Sequence, residues 1–274
     1  MTNETARTNL KIAVHEAAVK NRSSIPIKSV GAGSTVIRGL SSKHGPGTAR
    51  AARTVPVNAS RNASNRFDGE VAPGIKCGAL NTALDEQGAL NENLALLRKI
   101  GPAKGDARIP GIKLDISHPG VHSLTVLTKK RPMFQFRLAS RKDVANFHSN
   151  SLRFQEFLRK VEDDRGVKAA RQDLAKIDRA PQDLLRAVRL PNDYSRPMTK
   201  ALGVAALQAT NVEGLEADSV RHEIGGQDPS DGNLMLKGDD GKELTELIPV
   251  AKITARTGDD GQEHLYYERV ESLD

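Results

Sequence analysis

A lone thiol sits at Cys77, in Pro73-Gly-Ile-Lys-Cys-Gly-Ala-Leu-Asn-Thr-Ala-Leu84. Read as a turn feeding a helix, this string sets the sulfur at the helix start. Free amides, the positive dipole end and Lys76 would there favour a thiolate. Gly78 leaves room for a substrate backbone. A base is needed next, and His122 follows Pro119-Gly120 at the start of an apolar strand. An activated thiol uses such a Cys–His pair with a third polar group orienting the ring, for which Gln135 or Asp143 is available. The competing reading of Cys77 is a buried packing cysteine.

From Gly74 to Asp143 the order of a Cys opening a helix and a His opening a later strand resembles papain-like thiol hydrolases. The short Cys-to-His spacing resembles the thiol deamidases and proteases among bacterial toxins and secreted effectors. The resemblance implies amide hydrolysis, with Cys77 as nucleophile, His122 as base and Asp143 as orienting group. The chain departs from that pattern at the end of the next strand, where Phe136-Arg137-Leu138 replaces the usual acid or amide.

Other chemistry is poorly supplied. Ser29-Val-Gly-Ala-Gly-Ser-Thr-Val36 lacks both the third Gly of a dinucleotide loop and the Gly-Lys-Thr ending of a phosphate loop, and reads as linker. His118 and His122 have a helical metal-ligand spacing, but Pro119-Gly120 between them forbids the helix. The Gly-Asp-Asp-Gly strings at 238–241 and 258–261 read as hairpin turns, not calcium loops. No cofactor or metal is expected. A single cysteine also excludes an internal disulfide.

The elements that must carry these residues are legible in part. Leu10, Val14, Ala17 and Ala18 share one face of a short N-terminal helix capped by Asn3, with Arg7, Lys11 and Lys20 outside that face. A helix is expected after Pro73-Gly74, running to Ile100, with Leu84, Leu90, Leu94 and Leu97 inward. Strands are expected at 112–116, 122–128 and 133–138, the last two as a hairpin. Ser151 caps a helix whose Phe154, Phe157, Leu158 and Val161 recur at i, i+3, i+4, i+7, and Gly166 ends it. Ala170, Leu174 and Ile177 continue the pattern, a short piece holds Leu184, Leu185 and Val188, and a helix covers 198–210. A β-meander follows from Leu234 to Val270. Helix, sheet, helices, sheet without βαβ alternation argues α+β, with short antiparallel sheets and hairpins.

Charge divides the chain unevenly. Residues 1–66 hold eleven Lys and Arg against Glu4 and Glu16, with no aromatic side chain, so this segment is +9 in a chain of +7. Rich in Ser, Thr, Asn and Ala, it is expected to be a disordered basic arm ahead of one globular domain at 67–274. No run approaches a membrane span, and no apolar stretch behind a basic start suggests a secretory leader. Lys, Arg, Asp and Glu interleave on the central helices, which disfavours a nucleic-acid surface. No aromatic stacking platform accompanies the arm either.

A loose Ser/Thr/Asn-rich arm before an α+β body resembles bacterial type III secreted effectors. That resemblance implies a leaderless virulence protein, cytoplasmic before export and then in a host cell. Its arm would dock a secretion chaperone, and its body would act on a host protein. The alternative is a non-enzymatic adaptor whose basic arm grips an acidic partner or nucleic acid.

Overall fold

The computed structural model describes residues 2–39, 66–86, 88–89, 92, 112–113, 131–138, 142–178, 183–189, 195–218, 232–237, 244–257, 259, 261 and 263–269. The class is α+β. Helices α1 (Asn3–Asn21), α2 (Leu152–Glu162), α3 (Arg165–Ala175), α4 (Leu184–Arg189) and α5 (Arg196–Leu207) form one layer.

The sheet is far larger than the expected hairpins. It comprises β1 (Ile27–Val30), β2 (Thr35–Gly39), β5 (Ala79–Ala83), β6 (Ile112–Lys113), β7 (Arg131–Leu138), β8 (Lys142–Asn146), β9 (Gly214–Asp218), β10 (Gly232–Lys237), β11 (Leu244–Thr257) and β12 (Glu263–Arg269). Their order is β1-β8-β9-β10-β5-β2-β7-β11-β12-β6. A separate two-stranded ribbon pairs β3 (Gly69–Ala72) with β4 (Ile75–Cys77) across a turn in which Gly74 takes φ 81°. The pairings are antiparallel except β8 with β9, which run parallel because α2 to α5 form the crossover between them.

The two faces separate by the period of two. Ala79, Ala145, Leu215, Ala217 and Met235 join the core under the helices. Their neighbours Leu80, Val144, Leu234 and Leu236 join Val36, Phe136 and Leu138 in a second cluster on the opposite face. The helix-side core centres on four phenylalanines. Phe147 lies 5.5 Å from Phe67, 4.9 Å from Phe154 and 6.3 Å from Phe157, ring centre to ring centre. The stripe expected from the sequence of α2, Phe154, Phe157, Leu158 and Val161, is fully buried there.

The expected arm at 1–66 requires correction. Residues 3–39 belong to the fold, and 40–65 lie outside the described residues. Thr2, not Asn3, caps α1 by accepting from the Thr5 amide at 3.2 Å. Ala6, Leu10, Val14, Ala17 and Ala18 enter the same core as the phenylalanines. An aromatic-free helix packs this way because its alanines permit close approach while α2, α5 and Phe67 supply the bulk. The expected linker at 29–36 is the end of β1, a turn and the start of β2. The Gly33 amide donates to the Leu138 carbonyl at 3.0 Å, and the Leu138 amide returns to Ser34 at 2.9 Å.

Three further expectations change. The helix assigned after Pro73-Gly74 gives way to β4 and β5, and helical residues begin at Glu86. Leu90, Leu94 and Leu97 lie outside the described residues. Gly166 does not end α2; the break falls at Asp163-Asp164, and Asp164 caps α3 by accepting from the Gly166 amide at 2.8 Å. The C-terminal meander narrows to β11 and β12, since β10 sits between β9 and β5.

Candidate functional site

Cys77 ends β4, and β5 begins two residues later, so the thiol is not at a helix start. Its environment is the helix-side core, where it is 8% exposed. Its Sγ donates to the Gly78 carbonyl at 3.6 Å. The amide array and dipole expected to favour a thiolate are therefore missing from its own element.

His122 lies outside the described residues. Asp143 stands on β8, where its Oδ1 accepts from Ser29 Oγ at 2.6 Å. Its carbonyl accepts from the Glu213 amide, whose own carbonyl accepts from Lys237, and Lys237 pairs with Ala79. Asp143 is thus level with Ala79 but three strand positions away, about 14 Å at the usual spacing. Gln135, on β7, pairs with Ile37 and Ile248.

A histidine the sequence did not single out lies nearer the thiol's strand. His15 on α1 shares a 3.1 Å hydrogen bond through Nε2 with Gln208 Oε1, and Gln208 Nε2 donates to the Lys76 carbonyl at 3.5 Å. His15 is buried, with that nitrogen committed.

Among the described residues, a dense titratable cluster forms at the carboxyl ends of the parallel pair. His148 follows β8, while Glu216 and Asp218 sit two apart on β9. The ring donates from Nδ1 to Asp218 Oδ1 at 2.6 Å and from Nε2 to Glu216 Oε1 at 3.0 Å. Glu216 is nearly buried and also takes Lys28 Nζ at 3.0 Å. Register explains that pair: Lys28 stands opposite Val144 and Glu216 opposite Asn146, all on one face. Asp218 further accepts from the Ser149 amide and hydroxyl, each at 3.3 Å, and its carbonyl accepts from Arg66 at 2.6 Å.

Hydrogen bonds to Asp218 and then Glu216 raise the His148 pKa to about 9. Against the cost of burial, the same bonds hold both carboxylates below their ordinary values. With both nitrogens donating, the ring offers neither a base nor a metal ligand at neutral pH. The two carboxylates lie at opposite ends of the ring and do not converge on one point. No group of three or more His, Cys, Asp or Glu side chains placed to hold a metal ion occurs among the described residues. This cluster ties the loop that leaves β8 to the end of β9.

One open groove runs along α1. It encloses about 360 Å³ and is lined by Asn3, Glu4, Arg7, Thr8, Lys11 and Pro197. Arg7 and Asn3 both bind Asp178.

Comparison with protein-family models, with curated proteins and with solved structures returned no match for this chain. Among the described residues, no helix is long and apolar enough to cross a membrane.

Proposed function

We propose that this chain acts by binding an acidic protein partner and not by thiol catalysis. The observation that carries the reading is the burial of Cys77 at the end of a β-strand and not at the start of a helix. Asp143 stands about three strand spacings from Ala79, on the strand that follows the thiol's. A saturated His148 cluster supplies no alternative base.

The basic charge is redistributed by the fold. Arg7 pairs with Asp178, Lys20 with Asp164 and Lys28 with Glu216, Arg38 is buried near Asp68, and Arg66 is committed to backbone carbonyls. Residues 40–65, outside the described set, carry Lys43, Arg50, Arg53 and Arg61 with no acidic residue. That segment is the natural contact for an acidic surface. An exported effector of this kind acts on a host protein by occupying it. The export setting rests on composition, and α1 must leave the core before it can dock a secretion chaperone.

Titration of the full chain with polyglutamate at low salt tests the reading. Binding should weaken with salt, disappear in a Lys43, Arg50, Arg53, Arg61→Gln variant, and persist in Cys77→Ala. Equal binding by the fourfold variant contradicts it. Preference for a DNA oligonucleotide over polyglutamate moves the partner to nucleic acid.

A further inference from the structure

We infer that the open edge of β1 takes an extended segment of the acidic partner as a further strand of the sheet, one in which acidic and apolar residues alternate. The partner's acidic character rests on the function proposed above; the edge itself does not. β1 ends the strand order, and among the described residues it pairs with β8 alone. Its register shows which backbone groups are spare. The Asn146 amide donates to the Pro26 carbonyl at 2.9 Å, and antiparallel pairing then turns Lys28 and Val30 toward β8 in the same way. Ile27 and Ser29, which alternate with them, direct their amides and carbonyls away from β8. Two donors and two acceptors thus stand in a row at strand spacing, the pattern that an extended backbone satisfies.

The side chains say what kind of strand fits. Ile27 lies opposite Ala145, on the helix side, and is 45% exposed. It offers a shelf to an apolar neighbour on that face. Ser29 shares the face, and its hydroxyl is held by Asp143. Lys28 turns to the other face, where its ammonium binds Glu216 while the side chain stays half exposed. No acidic residue occurs from 17 to 67, so the charge of β1, its flanking turns and β2 is wholly basic. Exposed Arg22 precedes the strand, and Lys160 of α2 donates to Ser24 Oγ at 2.8 Å. The carboxylates that touch β1, Asp143 and Glu216, are both engaged by it. A second copy of β1 would therefore bring like charge to like charge, whereas an acidic strand meets cations. The period of two then sets the pattern, with an acidic residue beside Lys28 and apolar ones beside Ile27 and Ser29.

Calorimetric titration of the full chain at low salt with a blocked hexapeptide of alternating Glu and Val tests the edge. The peptide should bind. N-methylation of its valines, whose amides face Ile27 and Ser29, should weaken binding about tenfold or more, whereas N-methylation of its glutamates should leave binding unchanged. Ile27→Pro removes an outward amide and no bond to β8, so it should weaken the peptide to the same degree with unchanged circular dichroism. The methylated peptides need no change in the protein, so a folding defect in that variant leaves them decisive. Equal binding of both methylated peptides, or no binding of the parent peptide, overturns the inference. A dimer of the chain that Ile27→Pro dissolves also overturns it, by giving the edge to a second copy. The Lys43, Arg50, Arg53, Arg61→Gln variant should still bind the peptide, and loss there would move the contact to that segment and sink the edge. Peptide binding without polyglutamate binding would keep the edge and defeat the role of residues 40–65; the reverse would defeat the edge alone.

Discussion

At the residue scale, His148 combines two hydrogen bonds with two carboxylates whose own charges it stabilises. Its folded pKa, about 9, lies above its ordinary 6.5, so its contribution is full below 6.5 and fades as pH rises through 9. Glu216 and Asp218 are lowered, so theirs is present above the ordinary carboxylate range and fades as pH falls through their depressed values. The urea midpoint difference between wild type and His148→Gln should therefore be large at pH 6 and shrink by pH 10. A pH-independent difference would show that the ring matters by its shape alone. Sequence spacing concealed this cluster. Glu216 and Asp218 are visibly two apart, but their meeting with His148 needs the parallel pairing of β8 and β9, which no local pattern encodes. Cys77 misled for the opposite reason: Pro-Gly followed by Ala and Leu is a fair helix start, and pairing of β5 with β10 overrides it.

At the scale of elements, α2 was legible because four large apolar residues at helical spacing leave one way to bury them. Phe157→Ala should cost about 3–5 kcal/mol in chemical unfolding, since the ring is wholly buried beside Phe147 and Phe154. Less than about 1 kcal/mol would refute its place in the core. α5 offers a contest of signs. Alanine exceeds glycine in helix propensity by about 1 kcal/mol. A Cβ at Gly203, however, would stand 2.0 Å from the Phe67 carbonyl oxygen, a backbone atom that cannot swing aside. Overpacking of this kind costs about 1–3 kcal/mol or more. Gly203→Ala should therefore destabilise despite the better propensity. A gain in stability would mean that α5 and Phe67 do not meet so closely.

At the scale of the molecule, the N-terminus looked expendable because it carries no aromatic side chain and is rich in Ser, Thr, Asn and Ala. Its alanines bury little each, yet α1 packs against α2, α3 and α5 and completes their core. Removing residues 2–21 should abolish cooperative unfolding and expose dye-binding apolar surface, as seen by circular dichroism and dye fluorescence. A truncated chain melting within a few degrees of the full one would restore the view of this segment as an appendage. The α+β class was readable from element order. The ten-strand order was not, because β2 pairs with β7 across nearly a hundred residues and no turn signal links them.

Binding and cleavage are separated most directly by the accessibility of Cys77. Iodoacetamide alkylation of the folded chain at pH 6 to 7 should be far slower than that of a free cysteine and should become rapid only in denaturant. Native-state alkylation faster than a free cysteine, abolished by His122→Ala without loss of fold, would contradict the account and restore a Cys77–His122 hydrolase.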